Sequence, residues 1–216
     1  MRGKFITFEG GEGTGKSTHA AMLAKTLAER LTARGFKVVL TREQGHSAGA
    51  EIIHHILHSG MTKPLGAETE SILLAAARND HVKTTIAPAL DAGNWVICDG
   101  FIDTARARQG ALGQVDMKLI RGLDRLTVGT VRPDLTFVLD VPANIAMARA
   151  TTREPGTEAI AKHEELRRAL LVLAEREPDR MIVVDAGAPR DVVMKRLWAT
   201  VEERLLGGRP RENAAP

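Results

Sequence analysis

Gly10-Gly11-Glu12-Gly13-Thr14-Gly15-Lys16-Ser17-Thr18 fits G-x-x-x-x-G-K-[ST] in full, the spacing of a phosphate-binding loop. Upstream, Phe5-Ile6-Thr7-Phe8 is a short apolar run that predicts a buried first strand. From Thr18 onward Met22, Leu23, Leu27 and Leu31 recur at helical spacing. Strand, glycine turn and helix therefore come in the order such a loop requires. The glycines let the backbone curl so that successive N–H groups face a phosphate, and the helix adds the positive end of its dipole. Residues Gly10, Gly11, Glu12, Gly13, Thr14, Gly15, Lys16, Ser17 and Thr18 are expected to hold a nucleoside triphosphate, ATP. Lys16 would reach the β/γ-phosphates and the Ser17 hydroxyl would hold Mg²⁺.

Working outward, apolar β-rich runs recur at Lys37-Val38-Val39-Leu40, Trp95-Val96-Ile97-Cys98, Leu135-Thr136-Phe137-Val138-Leu139 and Met181-Ile182-Val183-Val184. Helical stretches are expected between them near 50–59, 68–92, 117–130, 144–152, 158–177 and 190–206. That alternation predicts an α/β domain with a parallel sheet covered on both faces. Gly35 and Gly93 stand where helix-closing glycines belong, and Arg132-Pro133 breaks the chain before the Leu135 run. The sequence shows no internal repeat and no low-complexity tract.

The chain has 216 residues, 44% of them hydrophobic, enough for one substantial core and too few to suggest several domains. One domain is expected over 1–206, with a polar, frayed tail from 207 to 216. The net charge is +3 with acidic and basic residues interspersed, so no nucleic-acid stripe is in view. Cys98 is the only cysteine, which excludes an intrachain disulfide framework and a multi-cysteine zinc site; in its apolar run it reads as a small buried hydrophobe. No signal-type or membrane-length apolar run occurs, so the expectation is a cytoplasmic protein without a membrane partner.

Ligands of such sheets gather at the carboxyl ends of the strands, where Glu9, Thr41-Arg42-Glu43, Asp99, Asp140 and Asp185 follow the five runs. Asp99 has the form of a carboxylate that orients Mg²⁺, although an Asp ending a strand is also a common turn or cap residue. For Asp140 and Asp185 the cap reading is the better one. His54, His55 and His58 cluster on an expected helix without paired cysteines or carboxylates at metal spacing, and are read as exposed helix residues.

These features together resemble the thymidylate kinase family of nucleoside monophosphate kinases over nearly the whole chain. Phe5 to Thr18 looks like the family's opening, with the acidic Glu12 inside the loop, and Thr41-Arg42-Glu43 looks like its T-R-E-P-G-G segment. Arg78-Asn79-Asp80-His81 is similar to the R-x-x-H element of the acceptor site. Pro133-Asp134-Leu135 and Leu139-Asp140-Val141-Pro142 precede the helix that leads into a lid, near 149–160. The resemblance implies a P-loop fold with a five-stranded parallel sheet flanked by helices, a homodimer, and transfer of the γ-phosphoryl of MgATP to dTMP. It further implies that Glu12 orders the loop, that Arg42 holds the acceptor phosphate and that Arg78 donates to the base. Glu9, Leu74, Asp99, Thr104, Arg108 and Gln109 would complete the acceptor site. Arg149 and Arg153 lie four apart and would close over the transferred phosphoryl.

Departures from the family pattern concentrate on the acceptor side. Its D-R-[FYH] reads Asp99-Gly100-Phe101, its stacking aromatic aligns with Leu74, and its T-R-E-P-G-G continues as Gln44-Gly45-His46. Its D-S-S-x-A-Y-Q becomes Asp103-Thr104-Ala105-Arg106-Ala107-Arg108-Gln109, which puts Arg108 where a tyrosine packs beside the deoxyribose. A lost arginine–phosphate contact would cost about 1.5–3 kcal/mol, and a lost aromatic stack about 1–3 kcal/mol. Arg106 or Arg108 could restore the charge from a different backbone position. Two expectations stand side by side: a dTMP kinase with a divergent acceptor site, and a MgATP-binding paralogue with a changed acceptor or a non-catalytic regulatory role.

Overall fold

The computed structural model describes residues 2–31, 35–43, 47–113, 115–150 and 156–207. Five strands, β1 (Phe5–Glu9), β2 (Val38–Arg42), β3 (Trp95–Asp99), β4 (Leu135–Asp140) and β5 (Met181–Asp185), form one sheet in the order β2-β3-β1-β4-β5. Every pairing is parallel. The expected apolar runs are therefore the strands, and Glu9, Arg42, Asp99, Asp140 and Asp185 are their last residues rather than the residues after them. β1 lies at the centre and is buried throughout, while the edge strands β2 and β5 are only partly buried. This follows from the helix-covered faces of a parallel sheet, where only interior strands lose all contact with water.

Alternation along β1 sorts the core. Ile6 and Phe8 join Leu23 and Leu27 of α1 (Lys16–Leu31) and Val193, Leu197 and Val201 of α9 (Arg190–Leu205) on one face. Phe5 joins Val96, Cys98, Phe101 and Ile86 on the other. Cys98 is buried as expected.

Between the strands lie α2 (Ala48–His58) and α3 (Gly66–His81), which runs on through a π-helical turn at Val82–Ile86 into α4 (Ala87–Asp91). The wide turn sits just before Pro88, whose missing N–H cannot serve the ordinary four-residue bond; Ala87 N–H donates to Val82 O instead. α5 (Ile102–Ala107) and a second π-helical turn, Arg108–Leu112, form a helix absent from the expectations. It is short and carries no apolar stripe to announce it. α6 (Met117–Val128), α7 (Ala143–Ala150) and α8 (Thr157–Arg176) complete the described α-helices, and a short 3-10 turn at Lys63–Leu65 precedes α3. Arg153, the 151–155 part of the expected lid, the Gln44-Gly45-His46 departure and the tail beyond Gly207 lie outside the described residues.

Three side chains stand otherwise than the sequence predicts. His54 is buried, 7% exposed, and not a surface residue of α2. Asp140 does not cap a turn: Arg167 of α8 binds it through two nitrogens, at 2.5 and 3.1 Å. Arg106 is not free to serve a phosphate, because its Nε donates to Asp124 at 2.6 Å and its Nη1 to Asp103 at 3.2 Å.

Arg106 belongs to a chain of buried charges. Arg180, just before β5, donates to both oxygens of the fully buried Asp103, at 2.7 and 2.9 Å. Asp124 of α6 accepts from Arg106 and also from Arg78 of α3, whose Nε donates to Glu43 at 2.6 Å. The chain ties α3, α5, α6 and the entry to β5 to one another, and each cation in it is held by a carboxylate. Removing one member strands the others in a medium that cannot solvate them. Asp103→Ala is expected to lower the unfolding free energy by about 3–5 kcal/mol in urea titrations. Replacing the pair together, Asp103→Leu with Arg180→Met, is expected to cost clearly less than the single change.

Candidate active site

The loop between β1 and α1 is shaped by positions where no side chain fits. Gly13 has φ +73°, and a Cβ there would stand 1.9 Å from Ala146 O of α7. A Cβ on Gly11 would enter the His163 ring of α8, 2.3 Å from Nε2. His163 Nε2–H also donates to Glu12 O at 2.9 Å, so α7 and α8 brace the loop from outside. Inside it, Thr14 Oγ1 donates to Gly11 O at 2.9 Å and Lys16 Nζ to the same oxygen at 2.7 Å. Sequence reasoning missed His163, and nothing local in the sequence pointed to it.

At the carboxyl edge of β3, Ser17 Oγ donates to Asp99 Oδ2 at 2.5 Å. Asp99 in turn lies opposite Phe8 of β1 and Arg42 of β2 in the strand register. Hydroxyl and carboxylate converge at the start of α1, beside the lysine of the loop. This hard-oxygen pair fits a magnesium ion, which is commonly held by one or two protein oxygens, with phosphates and water completing the shell. Among the described residues no group of three His, Cys, Asp or Glu side chains gathers in the manner of an all-protein metal cage. Burial lowers the Lys16 pKa, with Asp99 and Glu9 pulling the other way.

Glu9 ends β1 fully buried. Its Oε2 accepts from both the backbone N–H of Thr104, at 3.0 Å, and the Thr104 hydroxyl, which also receives Gly10 N–H at 3.3 Å. Burial, with the negative charge of Asp103 next in weight, pushes the Glu9 carboxyl up to about 8. At neutral pH Glu9 is thus mostly an un-ionised acid. Its proton falls to Oε1, which has no protein partner.

The remaining expected acceptor residues divide. Arg78, 2% exposed, is locked by Glu43 and Asp124 but keeps Nη2 without a partner; Gln109 is buried with Nε2 likewise unpartnered. Buried polar atoms left open in this way call for a further partner, a ligand or an ordered water. Leu74 stands four residues before Arg78 on α3, half-buried on the same side of the helix. Thr41, next to Arg42, bonds His81 Nε2 at 2.7 Å. Arg42 and Arg108 are exposed. Arg149 donates to the carbonyls of Ala186 and Gly187, at 3.1 and 3.5 Å, after β5.

Residues 8–197 match the family model described as Thymidylate kinase. The chain is 49% identical over 212 residues to the thymidylate kinase of Bradyrhizobium diazoefficiens, covering 95% of this chain and 91% of that one. It is 47% identical over 213 residues to the thymidylate kinase of Nitrobacter winogradskyi, covering 95% and 91%. The crystal structure of thymidylate kinase from Ehrlichia chaffeensis superposes with a TM-score of 0.77 at 28% identity, covering 93% of this chain and all of that one. These likenesses do not support a divergent acceptor site or a non-catalytic role.

The raised Glu9 pKa sets a pH dependence with a definite sign. A carboxyl that titrates near 8 when folded and near 4.3 when unfolded stabilises the fold fully below the unfolded value. That contribution is lost as pH rises through 8. Glu9→Gln, which cannot ionise, is expected to gain stability relative to wild type as pH goes from 5 to 8.5. Urea unfolding at both pH values checks this, and a difference that does not change with pH contradicts it.

Proposed function

The chain belongs to the thymidylate kinase family, and from that premise we propose that it transfers the γ-phosphoryl group of ATP to dTMP, giving dTDP and ADP. The observation that carries the reading is the loop lysine and the Ser17–Asp99 pair, with the open polar atoms of Glu9 and Arg78, at the carboxyl edge of one parallel sheet. An oxygen of the dTMP phosphate attacks the γ-phosphorus, the bond to the β,γ-bridging oxygen breaks, and ADP leaves with that electron pair. Both partners are anions, so the protein contributes position and positive charge more than covalent help.

In this proposal the backbone N–H groups of residues 10–18 cradle the phosphates, and Lys16 leaves Gly11 O for the β/γ-oxygens. Ser17 and Asp99 hold Mg²⁺, which when bound neutralises charge on the β- and γ-oxygens. Glu12 keeps the loop in shape through its carbonyl bond to His163. Arg42 meets the acceptor phosphate, Arg78 Nη2 and Gln109 Nε2 meet the base, Leu74 lies under it, and Glu9 and Thr104 bound the sugar side. Arg149 and Arg153 belong to the lid; Arg149 must give up its carbonyl contacts to reach a phosphate.

A homodimer is part of the same proposal. Ile52 of α2, Ile72 of α3 and Leu126 of α6 are 63%, 48% and 81% exposed, and α3 packs against both α2 and α6. Apolar exposure of this kind on adjacent helices supports burial against a second copy. The enzyme is read as cytoplasmic, where its nucleotides are; no described helix is long and apolar enough to cross a membrane.

Release of ADP from MgATP across a panel of deoxy- and ribonucleoside monophosphates tests the acceptor. The highest kcat/KM is expected for dTMP, and a preference for another monophosphate overturns the assignment. Asp99→Asn is expected to reduce Mg²⁺-dependent turnover at least about tenfold while changing metal-free nucleotide binding far less. Equal losses with and without Mg²⁺ would return Asp99 to a turn residue.

A further inference from the structure

Two anions meet beside Lys16 in the proposed reaction, yet most arginines near the carboxyl edge of the sheet already have their N–H groups engaged. Arg78 and Arg106 are held by Glu43, Asp124 and Asp103; Arg167 is held by Asp140 and Glu164. Arg149 donates to two backbone carbonyls. Arg108 differs. It is exposed, and it forms no ion pair or side-chain hydrogen bond with the described residues.

Its place on α5 gives that free charge a direction. Arg108 keeps helical dihedrals, φ −66° and ψ −48°, and its N–H bonds to Thr104 O. It therefore stands on the same face as Thr104, one turn on. Thr104 is the residue of α5 that touches the phosphate loop, receiving Gly10 N–H and bonding Glu9. The opposite side of the helix carries Arg106 into the buried charge chain. Just past the end of β3, meanwhile, stands Gly100, which carries no side chain and so adds no positive charge beside Asp99.

Resting on the kinase reading above, we propose that Arg108 joins Arg42 in meeting the phosphates brought together beside Lys16, supplying from α5 the positive charge that position 100 lacks. Its guanidinium, a planar fork of donors, suits the oxygens of a phosphoryl group in transit. The positive charge of Arg108 is also one of the influences lowering the Lys16 pKa, after burial, which puts the two cations within electrostatic reach of one another. This assignment moves Arg108 from the sugar, where the resemblance put it, to the reacting phosphates.

Arg108→Gln and Arg108→Lys separate the possibilities, with circular dichroism confirming that each variant folds. With MgATP and dTMP, Arg108→Gln is expected to lower kcat about tenfold or more, and Arg108→Lys to recover part of the loss. Affinity for thymidine, which lacks the phosphate, should stay within about twofold. A kcat within about threefold of wild type overturns the inference. So does an equal loss of thymidine affinity, or a change confined to the preference between dTMP and its ribonucleotide counterpart. A wild type that turns over no monophosphate would sink the kinase reading instead. Arg108 is then tested by the affinity of an adenosine–pentaphosphate–thymidine conjugate, which should fall about tenfold in Arg108→Gln if the residue faces the phosphates and remain unchanged if it does not.

Discussion

The phosphate loop depends on close backbone approach. Ala146 O occupies the direction a Gly13 side chain would take, and the His163 ring occupies that of Gly11. With no Cβ in either place, α7 and α8 can press against the outside of the loop, and His163 can satisfy the outward Glu12 carbonyl. The loop leads directly into the N-terminus of α1 at Lys16, an arrangement suited to anions. Lys16, Ser17 and, across the strand end, Asp99 take their positions from that backbone path.

Opposite the loop, the acceptor side is organised by charge that stays inside the protein. Glu43, Arg78, Asp124, Arg106, Asp103 and Arg180 form alternating contacts from the end of β2 to the entry of β5. Such a chain contributes little net stability over an apolar core of the same shape, but it fixes which donors remain open. Arg78 ends with Nη2 unpartnered because its other nitrogens are held by carboxylates. Glu9, crowded by Asp103 and cut off from water, keeps its proton and becomes a donor at Oε1. The electrostatic design thus places fixed donors near the proposed acceptor without adding another carboxylate charge to repel its phosphate.

Much of this was legible in the amino-acid order because it is local. The glycine spacing of residues 10–17 admits few other structures, and the five β-rich runs are long and apolar enough to outweigh any helical alternative. The lid arginines and the acceptor residues were reached through resemblance. What escaped was non-local or weakly patterned. His163 meets Glu12 across 151 positions. α5 is six residues of mixed polarity, and its burial is decided by ion pairs no periodicity reveals. Arg106 and Arg108 look interchangeable in sequence, yet two positions apart on a helix they face different sides, one toward Asp124 and one beside the Thr104 face. His54 looked like a surface residue because no paired cysteine or carboxylate stands at metal spacing from the histidine cluster, whereas α2 turns it inward. The substitutions at Leu74, Gly100 and Arg108 suggested a changed acceptor; identities of 47–49% over 95% of the chain to thymidylate kinases do not support that.

The dependence of nucleotide binding on a Cβ-free loop can be measured directly with Gly13→Ala, using Gly122→Ala as a control, since a Cβ on Gly122 of α6 would meet nothing within 4 Å. Equilibrium binding of a fluorescent ATP analogue, with circular dichroism to confirm folding, should show affinity reduced at least about tenfold in Gly13→Ala and unchanged in Gly122→Ala. Wild-type affinity in a folded Gly13→Ala protein would contradict the account, because the loop would then bind its triphosphate without the close approach on which the rest of the site is built.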